Sequence, residues 1–348
     1  MHKVVALSGG AAYNSHFFAM LSVTAVSHYP KIGQSHEDQI LRRTLAEFDK
    51  KEASLTDLER VKDEVTRQVI QEQIEAGLEV VTDGLIRWDD AITYIARKIK
   101  GFTFTGLLRY FDTNTFYRQP ICKEELAGPE SFVVKDFQFA NALSSVPVKA
   151  VLTGPYTMAK LSQDRSYKDL EKFATKLATF LGEETKRLTA AGATIIQFDE
   201  PAILNFKKDL PIFKKVWAKL ASYFPANVEI ILFLNFGNLT GIYPEISELP
   251  FTTLGLDLAG ASENWKVLEG APLKKKLLAG IVDARNTKME TEEELNGKLE
   301  KLLNRFSAQD VSLSPNYGLE FLPRETARKK LANLSKVVRE FREAKVKA

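Results

Sequence analysis

The 348-residue chain has little of what disulfide and thiolate chemistry needs. Its one cysteine, Cys122, excludes an intramolecular disulfide and any metal site built on two thiolates. A lone thiol suits a reducing compartment, so the expected setting is the cytoplasm. All four histidines lie within the first 36 residues, which leaves none for a ligand set later in the chain. No apolar run reaches the roughly 18 residues of a membrane span. The net charge of +3 is too small for a nucleic-acid footprint, and the basic residues are interleaved with acids as on solvated helix faces. No glycine-rich dinucleotide fingerprint follows any strand-like run.

What is present is ordinary for a globular protein with a sizeable core: 45% hydrophobic and 27% charged residues. Met1–Lys3 and the mixed apolar stretch to Val26 have a faint likeness to a secretory leader. Ser8-Gly9-Gly10 and Asn14-Ser15-His16 interrupt that stretch, and no clean small-residue cleavage site follows. Residues 1–20 are therefore expected to be an extension, and 21–348 the domain. From Leu21 the chain alternates short apolar runs with helical patterns. The runs are Leu21–Val26, Leu78–Thr82, Val148–Thr153, Thr194–Phe198, Val228–Leu234, Thr253–Leu256, Leu277–Val282 and Val311–Leu313. Helices are expected between them, one opening at Ser54 with Asp57 as its capping partner. Continuous apolar strands alternating with helices signal a parallel sheet covered on both sides, and eight such units predict a single (β/α)8 barrel. The segment from about Gly101 to Leu143 breaks the repeat and reads as an insertion, a hairpin between the second and third barrel strands.

In such a barrel the residues just past the strand C-termini line the mouth. Those positions carry His28, Asp83, Asp199, Glu200, Asn235, Asp257, Asp283, Asn286 and Asn316, with Arg87 and Asp90 close by. Converging acids and amides can bind an amine, a cation or a hydroxyl. Any one of them can equally cap the helix that follows, where a carboxylate meets free amides. Asp199 and Glu200 are neighbours on one strand and point to opposite sides, so one of the two is expected to face a ligand.

The string Asp199-Glu200-Pro201-Ala202 resembles a motif of cobalamin-independent methionine synthase, an enzyme of two related barrels. The likeness extends over about residues 22–340. His28–Gly33 resembles the family's opening turn. Leu41–Leu45, with Arg42 and Arg43, lies where the family's basic segment contacts the folate tail. Tyr110–Asn114, with Tyr117 and Pro120, is similar to a string of the amino-terminal barrel, as are Val151–Pro155 and Ala279–Asn286. Ser314–Leu319 and Leu322–Thr326 are closer to the ending of the catalytic barrel. The resemblance implies substrate contacts by Asp199, Glu200, Asn235, Asp257 and Asn316, with Asp199 holding the substrate amine. It implies folate or partner contacts by Arg42, Arg43, Asp112, Asn114 and Tyr117.

The family's zinc, which makes homocysteine a thiolate, is held by a histidine–x–cysteine pair, a glutamate and a late cysteine. The matching positions here read Leu234-Asn235-Phe236, Asp257 and Tyr317. The family's homocysteine-contacting serine and glutamate are replaced by His28 and Leu85. No metal and no other cofactor is expected. Three functions fit. The chain is a zinc-less, amino-terminal-type partner of a zinc-bearing single-barrel subunit in a split methionine synthase; or it is a stand-alone zinc-independent methyltransferase; or it is a binding protein for homocysteine, methionine or methylated folate. Cys122 is expected to be a packed or surface thiol rather than a nucleophile.

Overall fold

The structure, a computed structural model, describes residues 21–347; the expected extension, 1–20, lies outside them. Ten strands occur in chain order: β1 (Ser22–Val23), β2 (Lys100–Arg109), β3 (Phe116–Ala127), β4 (Ala150–Thr153), β5 (Gln163–Asp164), β6 (Ile195–Asp199), β7 (Glu229–Leu234), β8 (Thr253–Asp257), β9 (Lys276–Val282) and β10 (Val311–Pro315). Seven of them form one parallel sheet in the order β1-β10-β9-β8-β7-β6-β4. The gap between β1 and β4 is closed by two single parallel bridges, Thr24 to Val80 and Val81 to Val148. The sheet is thus a curled α/β ring, in keeping with the expected (β/α)8 barrel.

The second position of the ring is thinner than its apolar run suggests. Only Val80 and Val81 bridge to neighbours, and a helix supplies what the ladder lacks. Gln73, fully buried on the helix Leu55–Glu75, donates from Nε2 to Thr82 O (2.9 Å), and its Oε1 accepts from Thr82 N (3.0 Å). That helix begins at Ser54, which accepts from Asp57 N while the Asp57 side chain returns to Ser54 N. The capping box read from the sequence is therefore in place.

Two apolar layers result. Residues facing the helices form the large outer core, into which the helix Leu170–Ala190 packs Phe173, Leu177, Leu181 and Leu188. Val26, Val80, Ile195, Ile231, Phe233 and Leu278 form a separate cluster. Burial of each such side chain contributes about 1.5–3 kcal/mol, the usual magnitude for a core residue.

The predicted excursion is the antiparallel hairpin β2/β3, extended by β5. Along β3 the residues Tyr117, Pro120, Ile121, Cys122 and Leu126 are buried while Arg118 and Lys123 face outward. Cys122 is a packed thiol, its Sγ 3.3 Å from Glu124 O, and burial pushes its pKa up to about 11. Among the described residues no helix is long and apolar enough to cross a membrane.

Candidate active site at the barrel mouth

A cavity of about 310 Å³ opens at the C-terminal ends of the strands. Its polar wall is made by Ser27, His28, Lys31, Asp199, Asn235 and Glu320, and Trp88, Tyr110, Phe116 and Phe236 supply much of the apolar remainder. The first loop is placed by bonds to three elements. Tyr29 donates to Glu72, which also receives buried Arg324, and the Tyr29 amide donates to Gly84 O. Leu319 N donates to His28 O at 2.7 Å, tying this loop to the segment that carries Glu320.

Asp199 ends β6 and enters the cavity already oriented. Its Oδ2 accepts from Ser27 Oγ (2.5 Å) and its Oδ1 from Gln197 Nε2 (2.7 Å). Burial raises its pKa to about 6 against those two bonds, so an ammonium beside it would recover the ionised form. Asn235, 5% exposed, follows β7 and leaves Oδ1 enclosed without a partner among the described residues. An unpaired buried acceptor costs about 1–3 kcal/mol, which a ligand donor would restore. His28 is held down to about 3 by burial and by Lys31, so its imidazole is neutral. Lys31 is lowered to about 8 by burial first, and its Nζ donates to the Trp88 carbonyl. Glu320 is raised to about 8 by burial, and its Oε1 lies 3.9 Å from His28 Nδ1.

Not every predicted residue reaches this cavity. Glu200 points the other way: fully buried, its carboxylate accepts from Tyr156 N (3.0 Å) and Thr157 N (2.7 Å) at the start of the helix Pro155–Leu161. A Cβ on Gly154 would sit 2.2 Å from that carboxylate, so the glycine preceding the helix is what admits it. Asp83 turns onto Leu85 N, and Asp90 lines the rim while its Oδ1 accepts from Ile92 N and Thr93 N, where the helix Thr93–Ala96 begins. Arg87 pairs with Glu59, Asp63 and Asp136 away from the mouth. Asp283 and Asn286 accept amides within their own turn.

Asp257 and Asn316 meet each other rather than the cavity. Asp257 Oδ1 accepts from Asn316 Nδ2 (3.0 Å), Ala259 N and Gly260 N, and Oδ2 accepts from Tyr317 Oη (2.7 Å). The Tyr317 ring lies 4.5 Å from Phe236, on which Phe111 also stacks at 5.4 Å, with Tyr110 and Phe321 edge-on. Phe236, Asp257 and Tyr317, three of the positions matched to metal ligands in the sequence, are therefore brought together as an aromatic and hydrogen-bonded plug. Among the described residues no group of three or more His, Cys, Asp or Glu could hold a metal ion.

The residues read as folate or partner contacts are scattered. Arg42 is exposed, and Arg43 donates to His36 O within its own segment. Asp112 and Asn114 are exposed at the hairpin tip, where Arg285 holds the Asp112 carbonyl at 2.6 Å. Tyr117 is only 3% exposed and donates to Leu161 O. Conversely, Lys31 and Glu320 were not singled out in the sequence. Glu320 lies one short turn past the last strand, and reading that far beyond each strand end was the available signal.

Residues 24–340 match the family model described as "Cobalamin-independent synthase, Catalytic domain". The chain belongs to the cobalamin-independent methionine synthase family. A methionine synthase of Saccharolobus solfataricus is 31% identical over 328 residues, covering 92% of this chain and 96% of that protein. One from Sulfurisphaera tokodaii is 31% identical over 92% of this chain and 93% of its own length. In fold, the chain is similar to a B12-independent methionine synthase from Shewanella sp. W3-18-1 solved in complex with selenomethionine, with TM-score 0.79 at 24% identity over 94% of this chain and 100% of that one. The single-barrel length is thus shared with methionine synthase relatives, and the family likeness runs to the catalytic domain.

Proposed function

We propose that this methionine-synthase-like barrel binds homocysteine or methionine through Asp199 and Asn235 and serves methyl transfer to homocysteine without zinc. The observation that carries the reading is the contrast between two neighbouring places. The cavity keeps an oriented carboxylate for an ammonium and an unpaired amide oxygen beside it. The plug next to it does not fit the family's zinc, because a phenyl ring offers no lone pair and the Tyr317 hydroxyl is donated to Asp257. The selenomethionine in the Shewanella relative makes an amino acid of that shape the first ligand to try. The buried single thiol supports a cytoplasmic setting.

Calorimetry with homocysteine, methionine and methyltetrahydrofolate, run with metal content measured on the same sample, tests this. Binding of the amino acids by metal-poor protein is expected. Stoichiometric tightly held zinc, or indifference to both amino acids, would overturn it.

A second reading, the partner subunit of a split enzyme, draws on the hairpin. Leu107 and Leu108 on β2 are 58% and 42% exposed, and Phe116 at the start of β3 is 51% exposed. Exposed apolar side chains of this size at one end of a hairpin suit a protein contact. A zinc-bearing single-barrel companion should then co-elute with this chain, and its activity should rise in the mixture.

A further inference from the structure

The cavity wall carries two carboxyl groups of different standing. Asp199 has both oxygens engaged and is suited to hold an ammonium in place. Glu320 lines the same cavity, and among the described residues its Oε2 is enclosed with no hydrogen-bond partner. Around it stand His28 at 3.9 Å, with Lys31 on the same first loop, and Asp199 from β6. The Tyr110 hydroxyl, from the hairpin, feels both Asp199 and Glu320 and also Asp90 at the rim. Asp89, the remaining acid of the rim, is paired with Arg97.

We infer that Glu320 is the general base that takes the proton from the thiol of the amino-acid substrate. This rests on the proposed reading of the cavity as a homocysteine site. In the step, the S–H bond breaks, an O–H bond forms on the Glu320 carboxylate, and the bonding pair stays on sulfur. Nothing is oxidised or reduced, and no further reactant is consumed. The resulting negative sulfur lies in a cavity where, among the described residues, Lys31 is the one lysine or arginine in the wall.

The alternatives are weaker bases or are already occupied. His28 is held down to about 3 and has little affinity for a proton. Asp199 is oriented by two donors and needed for the amine. Glu320 is raised to about 8 by burial, close to the roughly 8.5 of a free thiol, so proton transfer between them is nearly balanced. The backbone amide of Glu320 itself and Lys31 favour its anion, while Asp199 opposes it; burial outweighs them. The carboxylate form, the competent base, grows as pH rises through about 8.

The test needs no methyl donor. Chelator-treated full-length protein of verified low metal content is saturated with homocysteine, and the rate at which iodoacetamide alkylates the bound thiol is followed against pH. For the unmodified protein the rate is expected to rise with pH through about 8, as the Glu320 carboxylate forms. Glu320→Gln should still bind homocysteine, with the alkylation rate at neutral pH lowered about ten-fold or more. Glu320→Asp, a second variant that keeps a carboxylate, should recover part of the rate. A Glu320→Gln complex alkylated as fast as the unmodified protein would overturn the assignment while leaving the amino-acid site standing. Failure of the unmodified protein to bind homocysteine would overturn both.

Discussion

The Tyr317 hydroxyl donates to Asp257 Oδ2 across 2.7 Å, joining the end of β8 to the loop after β10. With Asn316 on the other oxygen, the carboxylate is satisfied entirely from within the barrel. Tyr317→Phe leaves one buried lone pair unmet, a loss of about 1–3 kcal/mol. Urea unfolding should show that loss, and calorimetry should show methionine affinity unchanged. A large fall in affinity with full stability would instead make Tyr317 a ligand residue.

Asp199→Asn keeps the shape of the side chain and removes its charge. Hydrogen bonds to charged groups contribute about 1.5–3 kcal/mol, so amino-acid affinity should fall by about ten-fold or more. Isothermal titration with homocysteine and methionine reads this directly. Equal affinity of the variant would remove the amine-holding role.

Glu200 behaves differently from its neighbour. Glu200→Ala strands the amides of Tyr156 and Thr157, which points to destabilisation of about 2–4 kcal/mol. Ligand affinity per folded molecule should be preserved. The measurements are a denaturant midpoint and a titration on the same preparation.

The empty protein should lose stability as pH rises from about 4.5 to 6. Burial raises Asp83 and Asp199 to about 6, Glu200 to about 7 and Glu320 to about 8. Over that window these groups keep protons in the folded state that the unfolded chain releases, so the folded state binds more protons and stability falls with pH. His28 works the other way, because its folded pKa is about 3 and the unfolded chain binds its proton, but it is one group against four. Urea midpoints at the two ends of the window measure the net sign. A midpoint that climbs instead would show these carboxyls ionised.

Much of the barrel was legible because its signals are local. Apolar runs followed by Asp or Asn mark strand ends, and the Ser54–Asp57 box fixes a helix start within four residues. Asp199 and Asn235 could be placed at the mouth for the same reason. What stayed hidden depends on distant partners. Asp257 looks like a free acid until Asn316 and Tyr317, about sixty residues on, return to it. Glu200 gives no sign in the sequence that it caps a helix more than forty residues earlier. Tyr117 sits in a string shared with the family, yet the alternation of β3 turns it inward. Leu78–Thr82 reads as a strand as strong as any other, because apolar content does not report how many ladder bonds form.

That last segment gives the ring a latch. Thr82 is held by the side-chain amide of Gln73, and two residues later the Gly84 carbonyl takes the Tyr29 amide that steadies the loop of His28 and Lys31. The mouth is therefore moored to a helix: one glutamine, remote from any ligand, helps fix where the first loop stands beside the cavity.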